Sequence, residues 1–295
     1  MARTRRTKKT PRPAVPGRWR AFFREHGLRG LRVGAVTLAT GALLVGGGIG
    51  WQRLDAHVQQ EVTSRVERPA LLLVDLPPAV QRLAEGELRA QLLPLLEVLW
   101  TEESLCPNLA ERLSALGWVS KVRYVRRGGD GVVRVSCDYR VPVVMVQQGA
   151  EFLLVDATGT RVPGTYTYDP AWPLVQGVAA RAPQPGERWE GDDLQAALSL
   201  WHLLSSEPFT AQITAVLVEN YGGRRNRHGP HLELATDRAG GRIRWGSAPG
   251  REVEENTPAQ KLALLRENHR RSGRADAGHA VIDISTFPDR FAVPG

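Results

Sequence analysis

The spacing of apolar positions along this chain changes three times, and each change marks a part. Val33 to Trp51 is a run of nineteen residues without a charge, bounded by Arg29 and Arg32 on one side and Arg53 on the other. As a helix rising about 1.5 Å per residue it spans about 28 Å, enough for the hydrocarbon core of a bilayer. Next, Leu54, Val58, Val62 and Val66 recur every four residues among polar neighbours, a narrow stripe on a helix that Pro69 stops. Such a stripe suits a partner helix or a simple polar stalk.

From residue 68 the pattern is mixed. Ala70 to Leu76 is a short apolar run between Pro69 and Pro77, suited to a strand. Val80, Leu83, Ala84, Leu88, Leu92 and Leu95 have helical spacing, with Pro94 expected to kink or end the helix. A second helix starts near Pro107, faces inward with Leu109, Leu113 and Leu116, and stops at Gly117, read as a left-handed C′ glycine with Trp118 folding back. Lys121 to Arg126 and Val132 to Tyr139 read as strands joined by a glycine-rich loop. The order is β-α-α-β-β.

Beyond Val141 strands dominate: Val143–Val146, Phe152–Val155, Leu174–Val178, Ile213–Val218, His231–Ala235, Arg242–Trp245 and Val281–Ile284. Two helices interrupt them. One starts at Asp192 with Gln195 three residues later, the other at Thr257 with Pro258 first and Gln260 third. The fold class expected is therefore α+β.

Charge changes the picture for the N-terminus. The net charge of +8 suggests nucleic acid until its distribution is considered: residues 1–32 hold eleven Lys and Arg and one acid. The other 263 residues hold the remaining 28 bases and 30 acids. A basic lead before an apolar span puts the N-terminus in the cytoplasm, with lipid rather than nucleic acid as the tail's contact. A 32-residue lead without an Ala-x-Ala site argues for an anchor over a cleaved signal, although six of the nineteen span residues are glycine.

Catalytic motifs are missing. The chain has no Ser-x-x-Lys, Gly-x-Ser-x-Gly, His-Glu-x-x-His, phosphate-binding glycine loop or Cys-x-x-Cys. His228 and His231 flank a Gly-Pro turn with no acid or cysteine close enough in sequence to complete a metal shell. Glu102-Glu103, Asp192-Asp193 and Glu254-Glu255 sit at helix starts, where exposed amides favour carboxylates. Arg224 to His228 reads as a solvated basic loop. Cys106 and Cys137 either pair in an oxidising compartment or remain two small buried residues. No catalytic residue, cofactor or metal is expected.

The order of parts, with Gly117-Trp118-Val119, Pro142-Val143-Val144, Leu154-Val155-Asp156 with Gly159, Pro173-Leu174 with Gly177, Gly241 to Gly246, Lys261-Leu262 with Leu265, and Val281 to Ile284 followed by Phe291 to Val293, resembles the FtsQ/DivIB family of bitopic cell-division proteins. The chain departs from that pattern at Asp75-Leu-Pro-Pro78, at Tyr139, at Glu219 to Pro230 and at Pro288 and Pro294. The resemblance implies a basic cytoplasmic tail (1–32), a transmembrane helix (33–51), a juxtamembrane helix or stalk (52–67), a POTRA-like domain (68–140) and a C-terminal β domain (141–295). It further implies a non-enzymatic scaffold in the inner membrane at the division site. Its partners would be division proteins of the FtsB and FtsL type, captured by strand addition along Val281, Ile282, Asp283, Ile284, Ser285, Arg290, Phe291, Ala292 and Val293, with Phe291 as an apolar anchor. A POTRA-type protein of envelope transport or assembly, or an anchored hydrolase, are the alternative readings.

Overall fold

Two sheets follow one another along the chain. The computed structural model describes residues 69–294. The expected tail, span and juxtamembrane helix lie outside that range, and no described helix is long and apolar enough to cross a membrane. Within it the fold is α+β.

The first sheet has the order β1-β3-β2, from β1 (Ala70–Val74), β2 (Val119–Arg127) and β3 (Val132–Tyr139). β1 lies parallel to β3 and β2 antiparallel to it. Helices α1 (Pro78–Leu99) and α2 (Leu105–Ala115) connect β1 to β2, giving the expected β-α-α-β-β order. On α1, Val80, Ala84, Leu88, Leu92 and Leu96 repeat every four residues and are all inaccessible to solvent. Full burial stabilises each leucine by about 2 kcal/mol.

Of the two alternatives expected at Pro94 the helix end is excluded, and Gly117 departs from its expected conformation, each for an identifiable reason. Pro94 does not end α1, which continues to Leu99. Pro94 and Ala90 both face solvent, so water can satisfy the Ala90 carbonyl that the proline leaves unpaired, while Leu92 and Leu96 hold both sides of the break in the core. Gly117 is not left-handed; the α2 cap is Leu116 in an extended conformation. Its glycine is required by close approach, because a Cβ there would lie 3.0 Å from Gly186 N, Pro163 Cγ and Pro185 C.

The second sheet has seven strands in the order β10-β9-β8-β7-β6-β4-β5. They are β4 (Pro142–Gln148), β5 (Glu151–Asp156), β6 (Leu174–Gln176), β7 (Ile213–Leu217), β8 (Leu232–Thr236), β9 (Arg242–Gly246) and β10 (Val281–Asp283). Helices α3 (Asp192–Leu204) and α4 (Pro258–Ser272) contribute to the core on one face, with Val144, Val146, Val155, Val175, Leu234, Ile243, Trp245 and Ile282. The alternate residues Met145, Leu154, Leu174, Ala215 and Ala235 form a second core with Val80, Ala84 and Leu88 of α1 and with Trp118. The large sheet is thus covered by helices on both faces, α3 and α4 on one and α1 on the other. Trp118 lies in this second core, its Nε1 donating to Glu87 at 3.0 Å.

Helix starts differ from expectation in one case. Thr257 and Gln260 form a reciprocal capping box on α4, with Pro258 in the first turn. Asp192 and Gln195 form none: α3 begins after Gly191, and Asp193 rather than Asp192 is engaged. The buried Asp193 carboxylate accepts from Ala179 N at 2.8 Å and from Arg224 Nη1 at 3.0 Å. Arg224, expected in a solvated loop, is therefore a tie between α3 and the β7–β8 connection. Cys106 and Cys137 are both free thiols.

Candidate strand-edge interface

β10 is positioned from three sides. Upstream, α4 ends at Gly273 in the left-handed conformation (φ 72°), which turns the chain back toward the sheet. The loop that follows is held by Asp276, whose side chain is fully buried and accepts from Arg274 Nε and Nη2 at 2.8 Å each and from Gly278 N at 2.9 Å. Burial alone would raise this carboxyl's pKa, but the Arg274 hydrogen bonds and the Gly278 amide outweigh it and hold it below the ordinary carboxylate range. Alongside, Arg242 N donates to Ala280 O at 2.8 Å and Ile284 N to Arg244 O at 3.2 Å, fixing β10 parallel to β9. Downstream, the buried Asn256, next to the α4 cap, donates its Nδ2 to Ile284 O at 2.9 Å and Phe287 O at 2.7 Å, and its amide to Ser285 O at 2.6 Å.

Backbone direction then alternates along the strand. Ala280, Ile282 and Ile284 turn their peptide groups toward β9. Val281 and Asp283 turn theirs to the outer edge. Asp283 is engaged there: its N–H donates to Ala292 O at 2.7 Å and its carbonyl accepts from Ala292 N at 2.8 Å. Among the described residues, Val281 makes no hydrogen bond to the returning chain. The edge of the large sheet is therefore held by one residue pair, beside one outward peptide position that the return leaves unpaired.

The nine residues expected at this interface fall into two groups. Ile282 and Ile284 are fully buried in the core shared with α4, and Ser285 is nearly so, its hydroxyl donating to Asp283 Oδ1 at 2.6 Å. Their side chains are not available to a partner. Val281, Asp283 and Ala292 line the edge itself, with Arg290 and Val293 exposed beside it. Phe291 is half-buried against the core, its ring 5.4 Å from that of His279, so it anchors the chain's own return segment. Sequence reasoning missed Asp276, His279 and Asn256, the residues that place β10. Only Asn256, directly before Thr257-Pro258, carried a recognisable signal.

A partly buried ion pair joins α4 to the residues just before it. Lys261 is fully inaccessible; its Nζ donates to Glu255 Oε2 at 2.7 Å and lies 5.2 Å from the Trp245 ring centre. Glu255 also accepts from Ser247 N and Oγ. A Cβ on Gly246 would collide with the Glu255 carboxylate, and the φ of 95° is one that glycine adopts freely and other residues rarely. Trp245, Gly246 and Lys261 thus meet at one carboxylate.

The described residues contain no cluster of three or more His, Cys, Asp or Glu able to hold a metal. His231 packs beside the Tyr221 ring at 6.1 Å. A groove of about 480 Å³ on the outer side of α3 is lined by Leu198, Trp201, Val143 and Pro249, with His202 its single titratable group. No protein-family model matches the chain, and no curated protein matches it.

Proposed function

We propose that this chain is a non-enzymatic scaffold of the FtsQ/DivIB type, anchored in the inner membrane by residues 33–51, with its folded part outside the cytoplasm. The observation that carries this reading is the β10 edge, where an incomplete strand pair follows a β-α-α-β-β unit in the order the resemblance implies. An extended partner segment, from division proteins of the FtsB and FtsL type, adds its backbone to that edge. Val281 and Asp283 supply the pairing groups, and the basic tail contacts anionic lipid on the cytoplasmic side. The groove on α3 gives the hydrolase reading little support, since His202 is the one titratable side chain in its lining.

The test is to tag the N-terminus, image the protein in growing cells of its own species and deplete it. Midcell accumulation with filamentation on depletion is expected. A uniform envelope distribution with normal division would overturn the proposal.

A further inference from the structure

We infer that the C-terminal segment, residues 286–294, is a one-pair internal cap that an incoming strand displaces, rather than an added strand on whose outer side the partner binds. This inference rests on the edge-capture reading above. Its basis is the register. In an antiparallel pair, reciprocal hydrogen bonds recur every second residue, so the pair at Asp283 and Ala292 would be followed by one at Val281 and Pro294. Pro294 has no N–H to donate to the Val281 carbonyl, so the reciprocal pair cannot form. In the other direction the next pair would join Ser285 and Arg290. There the Ser285 amide already donates to Asp283 Oδ1 at 2.9 Å, and its carbonyl accepts from Asn256 N at 2.6 Å. The cap is closed at both ends to a single pair.

A partner without that proline does better on the same edge. It makes the Asp283 pair and adds the Val281 pair, doubling the reciprocal contacts. The return also defines what the partner must present: an apolar residue opposite Ile284, where Phe291 packs beside His279; a small residue opposite Asp283, where Ala292 sits; and any residue but proline opposite Val281. The ligand class is an extended peptide of apolar-small-x-nonproline pattern. The cap holds the edge against unspecific pairing until such a segment arrives.

Two measurements test this. In the full chain, single-amide hydrogen exchange is expected to find the Val281 amide unprotected, and in Pro294→Val the amide introduced at position 294, the donor that the Val281 carbonyl lacks, is expected to exchange roughly tenfold more slowly than an unstructured amide. A Val281 amide already protected in the unmodified chain, or an unprotected amide at position 294 in the variant, would overturn the inference. The second probe is a synthetic peptide copying residues 287–294 with Pro294→Val, titrated against the full chain and against a chain ending at Thr286. Binding at least tenfold tighter to the shortened chain is expected, because the cap reduces the available fraction of the edge. Equal binding to both would overturn displacement while leaving edge capture standing. Binding to neither would overturn both.

Discussion

The two edges of the seven-stranded sheet are finished in opposite ways. At the β5 edge the chain folds back at once: Tyr166 N donates to Phe152 O, Val162 N to Leu154 O and Asp156 N to Thr160 O, at 2.8 to 3.0 Å, so every second residue of the strand is paired. The buried Asp156 carboxylate fixes that turn by accepting from Thr158 N, Thr158 Oγ1 and Thr160 N. At the β10 edge the return makes one pair and then reaches Pro294. The difference is not one of apolar content, since both strands bury their inner residues completely. It lies in which residue reaches the next pairing position.

The strongest way to break the contrast is to put proline on each side of β10. Ile284→Pro removes an N–H bonded to Arg244 and disrupts a fully buried side chain. It is expected to cost more than about 3 kcal/mol and unfold the sheet's end, visible as a large fall in Tm. Val281→Pro removes only an outward N–H and is expected to leave Tm within a few degrees while abolishing partner capture. If the two variants melt alike, the assignment of backbone direction is wrong.

Next in size is the sealed edge. Asp156→Ala leaves three donors at the Thr158–Thr160 turn without their acceptor and is expected to cost about 2 to 3 kcal/mol, read by denaturant unfolding, with faster exchange along β5 and none of the loss of capture seen at β10. Asp276 gives the matching perturbation on the other side. Its folded pKa lies below the unfolded value of about 4, so its contribution is complete above that value and is lost as pH falls through the lower, folded one. Stability should therefore drop below about pH 4, and Asp276→Asn should flatten part of that drop in acid melts. The smallest expected effect is a control in the three-stranded sheet. Burial pushes the Cys137 thiol up to about 11, so it should resist alkylation at pH 8 in the unmodified chain and equally in Val281→Pro.

Much of the fold was legible because it follows from period and punctuation. The β-α-α-β-β order, the seven later strands and the Thr257 cap were each carried by a local pattern. The misread positions depended on long-range contact. Gly117 looks like a helix terminator and serves as the place where Gly186 approaches; Pro94 looks like a break and sits where solvent tolerates it. The stretch holding the candidate edge was legible, but its internal use of Phe291 and Ser285 was not, because nothing local shows that a chain end returns to pair with a strand nine residues earlier. Asp276 and His279 act through packing around a loop and leave no periodic trace.

On the proposed reading β10, and not β5, is the edge that meets a partner. A photoreactive amino acid placed in living cells at Val281, and separately at Phe152, tests it most directly. Crosslinks to a division protein are expected from position 281 and none from position 152. Equal crosslinking at the two positions, or none at 281 in a stably folded chain, would contradict it.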